Sequence, residues 1–377
     1  MRIALVHPYP WPEVRRGAER YVDDLAHYLA AHDHIVTVVT GSHGPDRVEH
    51  GSDGVTTMLR THRQVPGGRR AGLGEVETFG VAALGPIRRS GAEVVHAMTP
   101  SGALAGRLAG RRTLFTILGH PDPDQMPAAV LPRRLFLGAL RAATTTAVLS
   151  QASALALERL AGRRAVVLPP GVSLARFTPS RRDPARPLRI LFSGSLADSR
   201  KRPDLAVEAF ALVRKRHPGA RLAVSGSGDA TEVLTLARRM GDGAHDAVDV
   251  LGPGHPEDVP ERYRQATVTV LPAEHEAFGL VLVESLASGT PVVCTPSGGM
   301  PEIVTPEVGA VATSASPQAL ADALEAAIAL ASDPCTAKRC VARAQRWDWE
   351  STVGPAHLEL YERLAAGRRD ASPFGPW

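Results

Sequence analysis

Two glutamates, Glu276 and Glu284, flank a glycine that opens a short apolar helix, and this spacing could bind a phosphorylated sugar. The first amides of a helix have no acceptor inside it and carry the positive end of its dipole, so they form an anion site. Carboxylates only accept hydrogen bonds and therefore suit hydroxyl groups on either side of that anion. The alternative is a pair of surface glutamates, but the predicted helix 280–287 is apolar nearly all round and would bury Glu284 without purpose. The amides concerned belong to Phe278, Gly279, Leu280 and Val281.

Two further glycine-bearing turns between a strand and a helix could also bind an anion. The first is Ser193-Gly194-Ser195, after which three cations precede a helix starting near Pro203. The second is the loop His7–Glu19, in which Arg16 and Gly17 stand at the start of a helix. For either turn alone, the alternative is a glycine that merely ends a strand. The three cations after the first turn are Arg200, Lys201 and Arg202.

Other short motifs exclude some functions and leave one question open. Because no GxGxxG follows either first strand and no GxxxxGK[ST] occurs, a nicotinamide oxidoreductase and a P-loop are excluded. Asp122-Pro-Asp124 has the spacing of a metal-binding DxD, but three residues are too small a motif, so we expect no metal and no cofactor. The basic and apolar stretch 132–141 could contact an anionic membrane, although a helix packed on a sheet explains it as well.

The elements that must position these turns follow from an alternation of short β-branched runs with helical periodicity. Near-continuous apolar strands separated by helices predict parallel sheets covered on both faces, an α/β fold. We predict helices at Gly17–Ala31, Pro132–Ala143, Pro317–Ala331 and Trp349–Ala366. The predicted strands are Arg2–Val6, Ile35–Thr40, Ala92–Ala97, Arg112–Ile117, Thr145–Leu149 and Ala165–Leu168, then Leu188–Ser193, Arg221–Ser225, Ala247–Leu251, Thr267–Leu271 and Pro291–Cys294.

A segment rich in proline and arginine, residues 169–187, interrupts the alternation and is the predicted linker. The 377-residue chain is long for one doubly wound domain, since about 150 residues per domain is typical. We therefore predict two Rossmann-like domains, residues 1–170 and 171–348, followed by a closing helix and tail at 349–377. Ligands of open α/β sheets bind at the carboxyl ends of the strands, here in a cleft between the domains.

Composition narrows the class of protein. Hydrophobic residues make up 44% and charged residues 22%, so each half can build a core, and a disordered or collagen-like chain is excluded. The three cysteines form no CxxC pair, which argues against a disulfide framework or a cysteine zinc site. Because no apolar run reaches the roughly 18 residues of a membrane span and the N-terminal apolar run is too brief for a signal peptide, we expect a cytoplasmic protein.

The charge is unevenly distributed. Residues 1–176 carry 21 Arg and Lys against 14 Asp and Glu, whereas residues 177–377 carry 22 against 25. A basic first half is compatible with a phosphorylated substrate or an anionic membrane surface, but it requires neither. Aromatic residues make up 5% and are not interleaved with basic ones, so we expect no nucleic-acid partner.

The stretch Glu276–Val293 resembles the E-x7-E signature of the retaining glycosyltransferases of family 4, which have the GT-B fold. The resemblance covers nearly the whole chain; it is specific over residues 188–305 and weaker before residue 90. It implies two Rossmann-like domains facing across a cleft and a last helix that crosses back to the N-terminal domain. Supporting stretches are Val94–His96, Leu168–Val172, Ile190–Arg202, Ala206–Phe210, Ser297–Ile303 and Trp347–Glu350.

The resemblance also implies roles for individual residues. Lys201 would neutralise the diphosphate of the donor, and Glu276 would contact the donor sugar near its 3- and 4-hydroxyls. Glu284 would bind the nucleotide ribose, while the amides of residues 278–281 would bind phosphate. Gly17 would let the first loop approach the donor and the acceptor closely.

Three positions depart from the family pattern. Ser195 stands where a second cation is usual, so either Arg200 or Arg202 substitutes for it or the diphosphate is held less tightly. Arg16 stands where the first of two glycines is usual and could itself supply the missing charge. The family's histidine after a strand-ending threonine is displaced to His120, which would line the acceptor side or be an ordinary loop histidine.

Membership of this family implies a retaining, metal-independent transfer of a hexose-like sugar from a nucleoside diphosphate sugar. The acceptor would be a specialised metabolite, a lipid or a polysaccharide precursor, and the nucleotide sugar is a co-substrate rather than a cofactor. Two alternatives remain: a nucleotide-sugar epimerase of the same fold, and a non-catalytic partner that binds nucleotide sugars. Free-sugar or epimer product without acceptor would indicate the first, and donor binding without slow donor hydrolysis the second.

Overall fold

The computed structural model describes residues 1–62, 72–123, 129–180 and 186–368. Contacts between Cα atoms divide the chain into two compact units. The first unit comprises Met1–Gly171 and the chain from Val353 onward, and the second comprises Val172–Thr352. These divisions fall one and four residues from the predicted boundaries after residues 170 and 348. The predicted tail and part of the predicted linker lie outside the described residues.

The sheet of the first unit has the strand order β3-β4-β2-β1-β5-β6-β7-β8 over the described ranges. Its strands pair in parallel except β3 and β4, which are antiparallel. That pair is a departure from the predicted all-parallel sheet. The strands are β1 Arg2–Val6, β2 Ile35–Ser42, β3 Arg47–His50, β4 Val55–Thr61, β5 Val94–Ala97, β6 Arg112–Ile117, β7 Thr145–Val148 and β8 Val166–Val167.

The helices of the first unit begin and end where the local sequence favours it. Thr99 and Ser150 cap two of them by accepting hydrogen bonds from backbone amides, and left-handed glycines follow two of them, Gly91 and Gly162. The helices are α1 Gly17–Ala31, α2 Glu75–Ser90, α3 Pro100–Leu108, α4 Val130–Ala142 and α5 Gln151–Ala161, and the C-terminal α12 is Gly354–Ala365. Helix α12 packs within the first unit, although it follows the second unit in sequence.

Four buried ring side chains hold α12 against the sheet. Hydrogen bonds join the hydroxyl of Tyr21 to His357 Nε2 at 2.7 Å and the hydroxyl of Tyr361 to His96 Nδ1 at 2.7 Å. The second ring nitrogen of His96 lies 2.6 Å from the hydroxyl of Thr116. Burial lowers the pKa of His357 to about 4 and the pKa of His96 well below its ordinary value, so both imidazoles are neutral at pH 7.

The second unit has a sheet of parallel strands in the order β11-β10-β9-β12-β13-β14, as far as the chain is described. Strand β9 lies between β10 and β12, so the strand order reverses there, and in open α/β sheets ligands bind at the carboxyl ends of the strands at such a reversal. The strands are β9 Arg189–Ser193, β10 Arg221–Ser225, β11 Val248–Gly252, β12 Val268–Leu271, β13 Val292–Cys294 and β14 Gly309–Val311. The helices are α6 Pro203–Arg216, α7 Thr231–Met240, α8 Val259–Gln265, α9 Leu280–Ala287, α10 Pro317–Ala331 and α11 Thr336–Ala344.

The architecture predicted from the sequence is confirmed: both units are α/β with a central sheet that is parallel apart from β3. Helices α1 and α10 have the predicted bounds, whereas the last predicted helix starts as a π-helical turn at Trp349–Val353 before α12. The sequence did not predict β3, β4, β14, α2, α3, α5, α7, α8 or α11. Over the described ranges, no helix combines the length and apolar character needed to cross a bilayer.

Candidate functional site

Lys201 and Glu276 form an ion pair at the carboxyl end of the second sheet. Lys201 ends a short 3₁₀ turn, Ser199–Lys201, that follows β9, and Glu276 lies in the loop between β12 and α9. The ammonium group donates to Glu276 Oε2. The two side chains are 21% and 17% exposed, so the pair is partly shielded from water but accessible to a ligand. The structure therefore brings together two side chains that lie 75 positions apart in sequence.

A glycine from the next loop fixes the backbone of Glu276. Gly298, after β13, has a left-handed φ of 60°, and a Cβ atom there would lie 1.9 Å from the carbonyl oxygen of Glu276. The neighbouring Gly299 amide donates to the same oxygen at 2.9 Å. A side chain at residue 298 would have to displace the loop that carries Glu276, which explains the glycine.

A second glycine contact fixes the turn after β9. A Cβ atom on Gly226, at the end of β10, would lie 1.7 Å from the carbonyl oxygen of Gly194. The amide of Gly194 donates to the carbonyl of Ser225 at 2.9 Å, and a Cβ atom on Gly194 would lie 3.5 Å from Lys201 Cγ. The turn is therefore pinned on one side by β10 and packed on the other against the stem of Lys201.

The start of α9 presents amides that the described part of the chain leaves without an acceptor. These are the amides of residues 278–281; the first helical bond at this end runs from the amide of Leu282 to the carbonyl of Gly279 at 2.9 Å. Gly279, with φ of 102°, turns the chain into the helix. Phe278 is buried, with its ring 6.0 Å from that of Trp347. These amides have the arrangement expected of an anion site, and their binding of phosphate stays a prediction.

Glu284 is buried, with 3% of its surface exposed. The hydroxyl of Tyr263, on α8, donates to Glu284 Oε2 at 2.7 Å and lies 3.5 Å from the hydroxyl oxygen of Ser193 at the end of β9. This hydrogen bond gives the carboxylate a structural partner, so the premise that a buried Glu284 has no purpose without a ligand was wrong. It also links α9 to the turn that leads to Lys201.

The two arginines beside Lys201 are both engaged with carboxylates. Arg200 donates to Asp198 at 2.7 Å, and Arg202 donates to Asp204 at 2.9 Å and to Glu274 at 2.5 Å. The hydroxyl of Ser195 offers no positive charge in place of the missing cation. A guanidinium has five N–H donors, so either arginine could keep its carboxylate and still donate to a phosphate oxygen.

Backbone strain marks both sides of the ion pair. Arg202 and His275, the neighbours of Lys201 and Glu276, have left-handed φ values of 51° and 52°. Non-glycine residues in this region cost about 1–3 kcal/mol each and cluster at functional sites. The amide of His275 donates to the Ser297 hydroxyl at 2.8 Å, and the Glu274 amide donates to the carbonyl of Arg200 at 2.7 Å. The sequence did not indicate Tyr263, Gly226, Gly298 or Glu274 as site residues. Only the two glycines could have been found from sequence, because each of them follows a predicted strand.

The first unit holds the other three candidates, Arg16, Gly17 and His120. Arg16 pairs with the buried Glu19 at 2.5 Å and lies over the ring of Tyr9 at 5.0 Å, so its charge is already partnered. Gly17 starts α1, and a Cβ atom there would meet nothing within 4 Å in the described structure. His120 Nδ1 lies 3.1 Å from the hydroxyl of Ser153. Among the described residues of the first unit, no close contact requires a glycine at position 17.

Among the described residues, no cluster of three or more His, Cys, Asp or Glu side chains is placed to hold a metal ion. Asp124 of the Asp122-Pro-Asp124 motif lies outside the described residues.

The chain matches two family models that together cover most of its length. Residues 15–176 match "Glycosyltransferase Family 4", and residues 177–347 match "Glycosyl transferases group 1". A D-inositol 3-phosphate glycosyltransferase of Acidothermus cellulolyticus is 37% identical over an alignment of 225 residues, and the match covers 55% of this chain and 49% of that protein. The chain therefore spans about half the length of the curated relatives that it matches.

Solved structures share the fold over nearly the whole chain. Sucrose-phosphate synthase from Thermosynechococcus elongatus superposes with a TM-score of 0.81 at 23% identity, covering 97% of this chain and 99% of that one. HepE of Anabaena, in complex with UDP-glucose, superposes with a TM-score of 0.72 at 20% identity, covering 97% and 99%. Likeness at this level of identity shows the fold, and the two family models show the family: the chain belongs to the glycosyltransferases of the family 4 type, with the GT-B fold.

Proposed function

We propose that this protein is a retaining glycosyltransferase that moves a hexose-like sugar from a nucleoside diphosphate sugar to a small-molecule or lipid-linked acceptor without a metal ion. The observation that carries the proposal is the Lys201–Glu276 ion pair at the carboxyl edge of the sheet. Glu276 lies in the loop that leads into α9, next to the amides of residues 278–281. A sugar diphosphate needs positive charge beside its phosphates and carboxylate oxygens beside its sugar hydroxyls.

In this mechanism, the bond between the sugar C1 and the diphosphate oxygen breaks, and negative charge builds on the leaving group. Lys201 and the helix-start amides stabilise that charge without reorganising, which is the main source of rate enhancement in such sites. An ammonium has three N–H donors, and the ion pair with Glu276 uses one of them, so the others can bind phosphate oxygens. The acceptor attacks from the face of the leaving group, and a phosphate oxygen takes its proton, so no protein base is needed.

The names of similar proteins support the kind of substrate. The curated relatives are named as glycosyltransferases of D-inositol 3-phosphate, and HepE is a structure in complex with UDP-glucose. A polyhydroxylated acceptor and a nucleoside diphosphate sugar are therefore the first classes to test.

The first experiment measures thermal shifts with UDP, GDP and dTDP, because a ligand that binds only the folded state raises the melting temperature. The sugar derivative of the nucleotide that binds is then incubated with and without acceptors. We expect slow donor hydrolysis alone and a product that keeps the anomeric configuration of the donor. An epimer formed without acceptor would instead indicate an epimerase. Donor binding with no hydrolysis and no transfer to any acceptor would indicate a non-catalytic partner.

We expect activity to persist in excess EDTA. The reason is that Lys201 and the amides of residues 278–281 supply the positive potential that Mg²⁺ supplies in metal-dependent enzymes. Donor hydrolysis is measured in EDTA and again after Mg²⁺ or Mn²⁺ is added back. Complete loss in EDTA that either metal restores would contradict metal independence.

We expect Gly298→Ala to lower kcat/KM for donor turnover at least about tenfold, because the new Cβ pushes the backbone of Glu276 away from its productive position. The matched control is Gly162→Ala. Gly162 has nearly the same φ, 61°, but a Cβ atom there meets nothing within 4 Å in the described structure. The control should lose stability through the left-handed φ and keep its kcat/KM. Equal kinetics in the two variants would show that Gly298 does not position Glu276.

A further inference from the structure

A cavity in the first unit is lined by Tyr9 and Glu19, the two contacts of Arg16, and by residues not discussed so far. It has a volume of about 290 Å³ and lies between one face of α1 and the strands β2, β4 and β3, of which β3 is at the edge of the sheet. Ligand pockets in proteins begin at about 300 Å³, so the cavity suits a ligand of roughly monosaccharide size.

The charges that line this cavity are mostly negative. Four carboxylates line it, whereas no Lys or Arg is among its lining residues in the described chain. Two of the carboxylates are neutralised from outside the cavity, Glu19 by Arg16 and Glu49 by Arg47, at 2.5 and 2.7 Å. The other two are Asp23 and Asp53.

Asp23 and Asp53 share a single histidine. His27 Nε2 lies 2.9 Å from Asp53, and its Nδ1 lies 3.7 Å from Asp23. Even a protonated His27 leaves one negative charge in excess. Burial raises the pKa of Asp23 to about 6, because its carboxylate is partly desolvated and the nearby cations do not make up for this. A second positive charge in the cavity would stabilise the ionised carboxylates of Asp23 and Asp53.

A buried hydroxyl in the same cavity has no partner. Thr40, on β2, lines the cavity with 1% of its surface exposed, and its Oγ1 makes no hydrogen bond to any described residue. An unsatisfied buried polar group is unfavourable, and such groups are rare in folded proteins. Because this oxygen has almost no accessible surface, a ligand hydroxyl would satisfy it only after the Thr40 side chain turns toward the cavity. Tyr9 and Trp11 add aromatic faces, which favour sugar C–H groups and ammonium ions.

We propose that this cavity binds a small polyhydroxylated amine of the amino-sugar class, with its ammonium group on Asp23 and Asp53 and a hydroxyl group on Thr40. The proposal that the cavity binds such an amine depends only on the residues that line the cavity. The assignment of this amine as the acceptor of the sugar rests on the proposed function.

The test uses glucosamine as the probe, with glucose and N-acetylglucosamine as the same ring without the positive charge. Binding to the full chain is measured at pH 7 by saturation-transfer NMR and by calorimetry. We expect glucosamine to bind at least tenfold more tightly than either neutral sugar. Asp23→Asn and Asp53→Asn should each remove most of that preference. The control is Asp24→Asn, which changes the neighbouring carboxylate that pairs with Arg20 and does not line the cavity.

Equal affinity for the three sugars, no detectable binding of glucosamine, or an unchanged preference in both cavity variants would overturn the proposal. Melting temperatures confirm that each variant is folded, and the more exposed Asp53 supplies a second variant if Asp23→Asn does not fold. Transfer to glucosamine is assayed separately with the nucleotide sugar that binds. Charge-selective binding without transfer would support the cavity proposal and contradict the assignment of the amine as the acceptor. Transfer to other acceptors would then show that the proposed function is unaffected.

Discussion

Lys201→Ala should lower kcat by about 10²–10³, or roughly 3–4 kcal/mol, as does the loss of one oxyanion-site donor in other enzymes. The negative charge that Lys201 faces grows as the glycosidic bond breaks, so its interaction is stronger in the transition state than in the ground state. Donor affinity should fall much less, since the amides of residues 278–281 and the proposed contact of Glu284 with the ribose remain. Steady-state kinetics and direct donor binding on the same variant separate the two effects.

The Lys201–Glu276 ion pair adds a control to this experiment. Removing Lys201 leaves the Glu276 carboxylate uncompensated, and that charge alone could repel the donor. The double variant Lys201→Ala, Glu276→Gln removes the repulsion, so a recovery of kcat would assign the loss to Glu276 rather than to Lys201. Lys215→Ala, on the exposed surface of α6, should have no effect. A loss of affinity with unchanged kcat would show that Lys201 only binds the donor.

An unchanged Lys201→Ala enzyme would instead assign the cation role to Arg200 or Arg202. Arg202 pairs with Asp204 and Glu274, and Arg200 pairs with Asp198. Because a guanidinium has five N–H donors, each arginine can keep these pairs and still donate to a phosphate oxygen.

The parts of the second unit that could be predicted from sequence are those that depend on neighbouring residues. An apolar run ending in a glycine followed by a helical pattern predicted the turn at Gly194 and the start of α9 at Leu280, and both occur there. Pairings across the sheet could not be predicted in this way. Lys201 and Glu276 meet only because β9 and β12 are neighbours, and the strand order was not readable from the chain.

Elements of the first unit escaped prediction for physical reasons that the structure supplies. Strand β3 is fully exposed, so the sequence Arg-Val-Glu-His lacks the apolar alternation of a half-buried strand. Helix α2 contains Pro86 and Gly80, which argue against a helix. Gly80 is there because a Cβ atom would lie 2.2 Å from the carbonyl oxygen of Ser101 on α3, so close packing of two helices outweighs helix propensity.

Glu284→Gln should weaken binding of the nucleoside diphosphate by about 1.5–3 kcal/mol, the range for hydrogen bonds to a charged group, if the carboxylate accepts from two ribose hydroxyls. Glutamine keeps an oxygen that can accept from Tyr263, whereas Glu284→Ala would remove the acceptor of the 2.7 Å hydrogen bond from that buried hydroxyl and destabilise the fold. Calorimetry with the nucleotide that binds measures the affinity, and circular dichroism checks the fold.

Tyr263→Phe separates a ribose contact from a purely structural role of Glu284. This change removes the internal hydrogen bond but leaves the carboxylate in place. If Glu284 serves only to hold Tyr263 and the end of β9, Tyr263→Phe should lose at least as much affinity as Glu284→Gln, because glutamine keeps an acceptor for Tyr263 whereas phenylalanine removes the hydrogen bond. If Glu284 binds the ribose, Tyr263→Phe should lose far less affinity than Glu284→Gln, because a carboxylate that loses the Tyr263 donor still accepts from the ligand. Unchanged affinity in a folded Glu284→Gln protein would place the ribose contact on another residue.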